Sequence, residues 1–228
     1  MLAVAAGSSD TLPDGGYLTT LTVLLNDGGG RFADSLALNG YIAQSGVAVG
    51  DLDGDGWADL VTVGNDNLIG KLEVYLNNRD GGFDAPVEYA AGSWAGANAV
   101  ADFTGDGKLD VAVINYPGSG DPGVVLYSNV GAGALQAGPV QPSTCSPEAL
   151  AAADLNGDGR TDLAVVGTGG LEIWLQADGG LQAPATVYDA GGYVVLAADL
   201  NGDGHADLAI TGSRTVNSWL TVVLSTCE

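Results

Sequence analysis

Four short stretches of this chain place oxygen-bearing side chains at their first, third, fifth and ninth positions. They read DLDGDGWAD at 51–59, DFTGDGKLD at 102–110, DLNGDGRTD at 154–162 and DLNGDGHAD at 199–207. Such spacing suits a hard divalent cation. Calcium takes 6 to 8 oxygen ligands at short range, and a glycine turn brings alternate residues to one centre. The first loop offers Asp51, Asp53, Asp55 and Asp59, with the Trp57 backbone carbonyl. The second offers Asp102, Thr104, Asp106 and Asp110 with the Lys108 carbonyl. The third offers Asp154, Asn156, Asp158 and Asp162 with that of Arg160, and the fourth Asp199, Asn201, Asp203 and Asp207 with that of His205. Four Ca2+ sites are therefore expected, the second weakest because a threonine replaces a carboxylate or amide. Magnesium fits less well, because the loops are rich in carboxylates and bring no phosphate.

The chain's charge agrees. Among 228 residues, 28 acids face six Lys and Arg, a formal net charge of -22. A chain so poor in cations repels phosphate backbones and anionic lipid, so nucleic-acid and membrane-surface binding are not expected. No run of apolar residues is long enough for a spanning helix, and Leu2 to Ala6 is too short an apolar run for a signal peptide. Hydrophobic residues make up 46% of the chain, too many for a disordered acidic tract. Packed without metal, three or four carboxylates in one turn repel each other, and the metal-free protein should loosen.

The loops also report the architecture that must position them. Their starts lie 51, 52 and 45 residues apart. Each follows a run of small apolar residues (GVAVG, ANAVA, ALAAA, VVLAA) and leads into a β-branched run such as DLVTVG or DLAVVG. A second alternating run comes next (KLEVYLNN, GVVLYSNV, LEIWLQ, WLTVVL), then in most repeats a Gly-rich turn and a further extended segment. Four β-type runs in each repeat match one propeller blade. Ala and Gly in the first run suit an innermost strand, where backbones crowd near an axis. No window keeps a helical apolar face.

The expectation is an all-β chain: one β-propeller domain or segment over 1–228, in blades at about 2–39, 45–90, 97–142, 148–188 and 193–226. The middle three blades are complete with four strands. The first lacks its opening strand and the last its closing strand, giving 18 strands in five repeats. The array is read as a segment of a larger propeller, or else as an unusual five-unit array. An EF-hand is excluded because it needs flanking helices and a glutamate at loop position twelve, where Thr62, Val113, Val165 and Ile210 stand. A glycine-rich β-roll is excluded because its period is nine residues.

The motifs DLDGDGWADL, DFTGDGKLDV, DLNGDGRTDL and DLNGDGHADL, with turns such as GGF at 81–83, resemble the FG-GAP or VCBS-type repeats of the integrin α-subunit propeller and its microbial relatives. The resemblance covers nearly the whole chain. It implies that each loop joins the first and second strands of a blade in a propeller of about seven blades. It further implies an extracellular or cell-surface, calcium-stabilised module for adhesion or ligand recognition. The chain departs from the integrin pattern in carrying four intact loops and no inserted domain.

Chemistry beyond metal binding finds few candidates, and no catalytic residue is assigned. The single histidine, His205, sits inside a loop and is expected to face solvent. Glu73 and Glu88 are read as solvated strand residues rather than an acid/base pair. Cys145 and Cys227 form either one disulfide or two thiols. A glycan or an extracellular protein is the expected partner, met by Tyr41, Trp94, Tyr116 and Tyr193 with Asn115 and Asp121 on the face opposite the loops. The competing expectation is that these rings pack between blades. In that case the chain serves as a non-catalytic structural propeller attached to a larger secreted enzyme. Trp174 and Trp219, in strand runs, are expected in inter-blade core.

Overall fold

The computed structural model describes residues 2–5, 9–11, 17–40, 43–66, 69–92, 94–116, 122–184, 186–214 and 217–225. Every regular element among them is a β-strand, and every strand pairing is antiparallel. The first sheet contains β1 (Leu2–Ala5), β2 (Ser9–Thr11), β3 (Tyr17–Asn26) and β4 (Phe32–Gly40), with the long β3 pairing all three others. The second runs in order β5 (Ala43–Gly50), β6 (Asp59–Asp66), β7 (Ile69–Tyr75), β8 (Val87–Ala90). The third does the same with β9 (Ala95–Ala101), β10 (Asp110–Asn115), β11 (Gly123–Gly131) and β12 (Ala134–Pro142).

The fourth sheet contains β13 (Pro147–Ala153), β14 (Asp162–Gly167) and β15 (Gly170–Trp174). It is completed by β18 (Thr186–Tyr188) after a two-stranded hairpin, β16 (Gln176–Ala177) with β17 (Gly180–Leu181). The fifth has three strands, β19 (Val194–Ala198), β20 (Asp207–Arg214) and β21 (Asn217–Val223). The strand count exceeds the 18 read from sequence because β2 and the β16–β17 hairpin are short pieces without an alternating apolar run of their own. Among the described residues, none of the five sheets closes into a barrel.

Successive sheets stack face to face. The first strands meet one another: β5 lies against β9, β9 against β13 and β13 against β19. Small side chains permit this approach. A Cβ on Gly46 would come within 2.6 Å of Asn98 Oδ1 and 3.1 Å of the Ala97 backbone. Between the second and third sheets the core holds Val61, Val63, Leu72 and Val74 against Val111, Val113, Val125 and Tyr127. Equivalent layers separate the third sheet from the fourth, around Phe103 and Trp174, and the fourth from the fifth, around Leu171 and Ile210. Period-two alternation is lost on β10 and β14 because both of their faces are covered, as in any central strand between two layers.

Glu73 corrects the reading from sequence: it is fully buried rather than solvated. Its Oε2 accepts hydrogen bonds from Thr62 Oγ1 (3.2 Å) and Tyr75 Oη (3.0 Å), so the inter-sheet layer satisfies a carboxylate that water would otherwise hold. Glu172 is buried in the fourth sheet and accepts from the Thr144 N–H and hydroxyl, both at 2.7 Å. Glu88 is partly exposed and pairs with Lys71 at 2.9 Å. Cys145 is a buried free thiol beside Ser143 Oγ, and burial pushes its pKa up to about 11. Cys227 lies outside the described residues.

Candidate metal-binding loops

Each acidic stretch forms the turn between the first and second strands of its sheet: 51–58 joins β5 to β6, 102–109 β9 to β10, 154–161 β13 to β14 and 199–206 β19 to β20. The fourth and sixth residues are glycines with positive φ in all four loops, 78° and 87° at Gly54 and Gly56 in the first. That left-handed backbone, which a side chain would oppose, turns successive N–H groups inward. The first aspartate collects them. Asp51 Oδ1 accepts from Gly54 (2.9 Å) and Asp55 (3.0 Å), and Oδ2 from Gly56 (2.9 Å). Asp102 and Asp154 repeat all three bonds, and Asp199 those from Gly202 and Gly204.

The ninth residue works differently. Asp59, Asp110, Asp162 and Asp207 are buried at the start of the second strand. One oxygen reaches back to the loop's second residue: the N–H groups of Leu52, Phe103, Leu155 and Leu200 donate at 2.8 to 3.0 Å. The other oxygen reaches across to the end of the third strand, accepting from the N–H groups of Asn77, Asn129, Gln176 and Ser225 at 2.7 to 2.8 Å. A single carboxylate thus ties loop, second strand and third strand together.

Burial pushes the Asp59, Asp110 and Asp162 carboxyls above their ordinary value, against the hydrogen bonds that favour the charged form. At Asp207 burial acts the same way, but the Ser225 and Leu200 N–H groups and the Ser225 hydroxyl outweigh it and hold the carboxyl low. Two of the fifth-position carboxylates pair with cations, the well-covered Asp55 with Arg79 and the exposed Asp106 with Lys108. Asp55 is held low first by the Trp57 N–H and then by Arg79, and Asp106 by Lys108.

In the first loop the carboxylate oxygens of Asp51, Asp53 and Asp59 lie within 4.8 Å of one another. This is a set of hard oxygen donors around one point, which fits a calcium-type ion. The other loops replace Asp53 by Thr104, Asn156 and Asn201. There the third and fifth residues contact each other in the fourth loop, where Asn201 Nδ2 donates to Asp203 Oδ2 at 2.9 Å, and in the third, where Asn156 donates to Asp158 at 3.2 Å. His205 is half-buried rather than solvent-facing. A Cβ on Gly157 of the preceding loop would lie 3.3 Å from its Nδ1, so neighbouring loops touch here.

The loops' second residues are the other signal in this pattern. Leu52 (3% exposed) and Phe103 (0%) plug the layer between their own sheet and the next. Leu200, at the same position of the last loop, is 51% exposed.

Of the ligand-contact candidates, Tyr41 and Asp121 lie outside the described residues. Trp94 is 44% exposed and adopts φ 58°, a strained conformation for a bulky side chain. Its carbonyl accepts from the Tyr116 N–H at 3.1 Å. Tyr116 itself is half-buried, stacked where a Gly96 Cβ would stand, and its hydroxyl points to the Glu148 carbonyl of the next sheet at 3.4 Å. Tyr193 is 47% exposed, and Asn115 is buried.

The repeat unit matches a known one. A family model described as FG-GAP-like repeat aligns to residues 4–62, 51–113, 102–165 and 154–210, the last three matches each running from one acidic loop through the next. The chain belongs to the FG-GAP-like repeat family. Comparison with curated proteins gives no match. Among solved structures, the V. cholerae biofilm matrix protein Bap1 is similar at 20% identity and a TM-score of 0.48. The alignment covers 97% of this chain and 37% of that one, so the FG-GAP chain spans little more than a third of its neighbour's length.

Proposed function

We propose that this FG-GAP chain is a calcium-stabilised extracellular module whose sheets are the blades of a β-propeller, and that it serves adhesion or recognition of a glycan or protein. The observation that carries the metal reading is fourfold repetition of one loop conformation. In each loop, inward N–H groups fix the first aspartate and a buried ninth aspartate clamps the turn to two strands. Asp51, Asp53, Asp55 and Asp59 with the Trp57 carbonyl would hold the first ion, and the equivalent residues of the other loops the remaining three. The ion would supply the positive charge that the clustered carboxylates lack, four ions bringing eight charges against a net of -22. The second site, with Thr104, would be weakest.

The propeller reading is supported by the side chains that the fifth sheet leaves bare. Leu196 and Leu220 are each 65% exposed, with Val194, Leu200 and Val222 beside them. Their counterparts in the second sheet, Ala48, Leu72, Gly46, Leu52 and Val74, are wholly or partly covered by the third. A further sheet of the same kind would fit there, extending the blades at about 2–39, 45–90, 97–142, 148–188 and 193–226.

Exposed Trp94 and Tyr193 are the ligand-contact candidates. The competing reading, a non-catalytic propeller within a larger secreted enzyme, draws support from Tyr116, whose ring and hydroxyl are engaged with neighbouring sheets. A glycan array run in calcium separates the two. Binding that falls on Trp94→Ala supports recognition; no hit supports the spacer.

A further inference from the structure

The first two loops are joined through the protein interior by one side chain. Asp59 Oδ2 accepts the Leu52 N–H at 2.8 Å. The carbonyl of the same Leu52 accepts from Asn129 Nδ2 at 2.7 Å, across 77 residues of sequence. Asn129 in turn donates its backbone N–H to Asp110 Oδ1 at 2.8 Å and its Nδ2 to the Leu109 carbonyl at 3.0 Å. The ninth aspartate of loop one and that of loop two are therefore the ends of a single hydrogen-bonded chain. Leu52, Asp59, Asp110 and Asn129 are all buried, so no link can yield to water. A second contact runs alongside: a Cβ on Gly133, in the turn after β11, would lie 3.7 Å from the Asp53 Cβ of loop one.

Asn129 is distinctive in this. Asn77, at the same position of the preceding repeat, donates its amide to Ala58 of its own loop at 3.2 Å. Gln176, at that position of the following repeat, accepts the Thr161 N–H of its own loop at 3.0 Å. Gln176 also lies beside the loop before its own, its Nε2 3.0 Å from where a Gly105 Cβ would stand, but among the described residues only Asn129 hydrogen-bonds from this position to the preceding loop.

We infer that Asn129 is a positioning residue that couples the first two metal loops, so that an ion in one raises the affinity of the other. The inference rests on the calcium reading above. An ion drawing on Asp59 fixes the Leu52 peptide, which fixes the Asn129 amide and with it the peptide that holds Asp110. The coupling is reciprocal, as linkage requires.

The test uses the full 228-residue chain titrated with terbium, a luminescent stand-in for calcium. Trp57 sits at the seventh position of loop one, and its sensitised emission reports that loop; Trp57→Phe supplies the blank. Asp106→Asn weakens loop two at an exposed side chain outside the buried network, and Asp158→Asn does the same in loop three. The loop-one midpoint is expected to rise about fivefold or more with Asp106→Asn, within the usual range of coupling between sites. It should stay put with Asp158→Asn. In an Asn129→Ala background, or Asn129→Ser if alanine does not fold, Asp106→Asn should move it less than about twofold. An unchanged midpoint on Asp106→Asn overturns the coupling whatever the Asn129 variants do, and so does a full shift without Asn129. Absence of any terbium emission or of thermal stabilisation by calcium overturns the calcium reading itself.

Discussion

Replacing Asp110 by alanine should destabilise the metal-free protein far more than replacing Asp106, although both belong to the same loop. Asp110 accepts three backbone N–H groups, from Phe103 (3.0 Å), Thr104 (2.9 Å) and Asn129 (2.8 Å). Alanine leaves those of Phe103 and Asn129 buried without a partner, and each such donor costs about 1–3 kcal/mol. Removing a buried carboxylate, whose charge its surroundings disfavour, returns part of that. A net loss of about 2–4 kcal/mol is expected, or roughly 5–15 °C in Tm for a chain of this size. The exposed Asp106 accepts the Lys108 N–H and side chain, both of which water can replace, so its alanine variant should stay within about 0.5 kcal/mol. Urea unfolding in excess chelator, followed by tryptophan fluorescence, measures both. Equal losses from the two substitutions would refute the claim that ninth-position aspartates act as buried clamps as well as ligand candidates.

Other expectations follow the same geometry. Phe103→Ala should cost about 3–5 kcal/mol because the ring fills the layer beside Trp174, whereas Leu200→Ala, at the equivalent but exposed position, should change stability little; denaturant melts decide. In chelator, Tm should fall as pH rises from about 4 to 7. Raised folded-state values at Asp59, Asp110 and Asp162 mean that their favourable contribution is complete at low pH and lost as pH climbs through those values, and calcium should restore Tm at pH 7. Asp207, Asp55 and Asp106 shift the opposite way, but the latter two pair with solvent-exposed Arg79 and Lys108 and weigh less. With Cys227 replaced by serine, Cys145 should react with a thiol reagent at the rate of unfolding, because it is buried and its pKa stands at about 11; fast labelling of the native protein would contradict that.

Much of this architecture was legible from local pattern. The four loops announce themselves by alternating oxygens and paired glycines, and the small residues before them mark strands that must pack closely, as Gly46 does. The clamp was not legible in full. Asp59 and its counterparts look like one more ligand in a motif, yet their burial depends on N–H groups at Asn77, Asn129, Gln176 and Ser225, up to 19 residues further on. The Asn or Gln at Asn77 in LNN, Asn129 in SNV and Gln176 in LQ was the available hint. Glu73 misled because a glutamate in an alternating strand usually faces water; its acceptors are satisfied only when Thr62 and Tyr75 converge on it from the layer between sheets. Tyr116 was drawn toward its neighbours for a similar reason, since Gly96 opens a slot its ring can fill.

Counting bound ions by native mass spectrometry of the chain in calcium decides whether the acidic loops hold metal. Four calcium ions are expected for each chain, and three after Asp51→Ala. A chain that carries none, or keeps its full complement when Asp51 is removed, would contradict the metal reading.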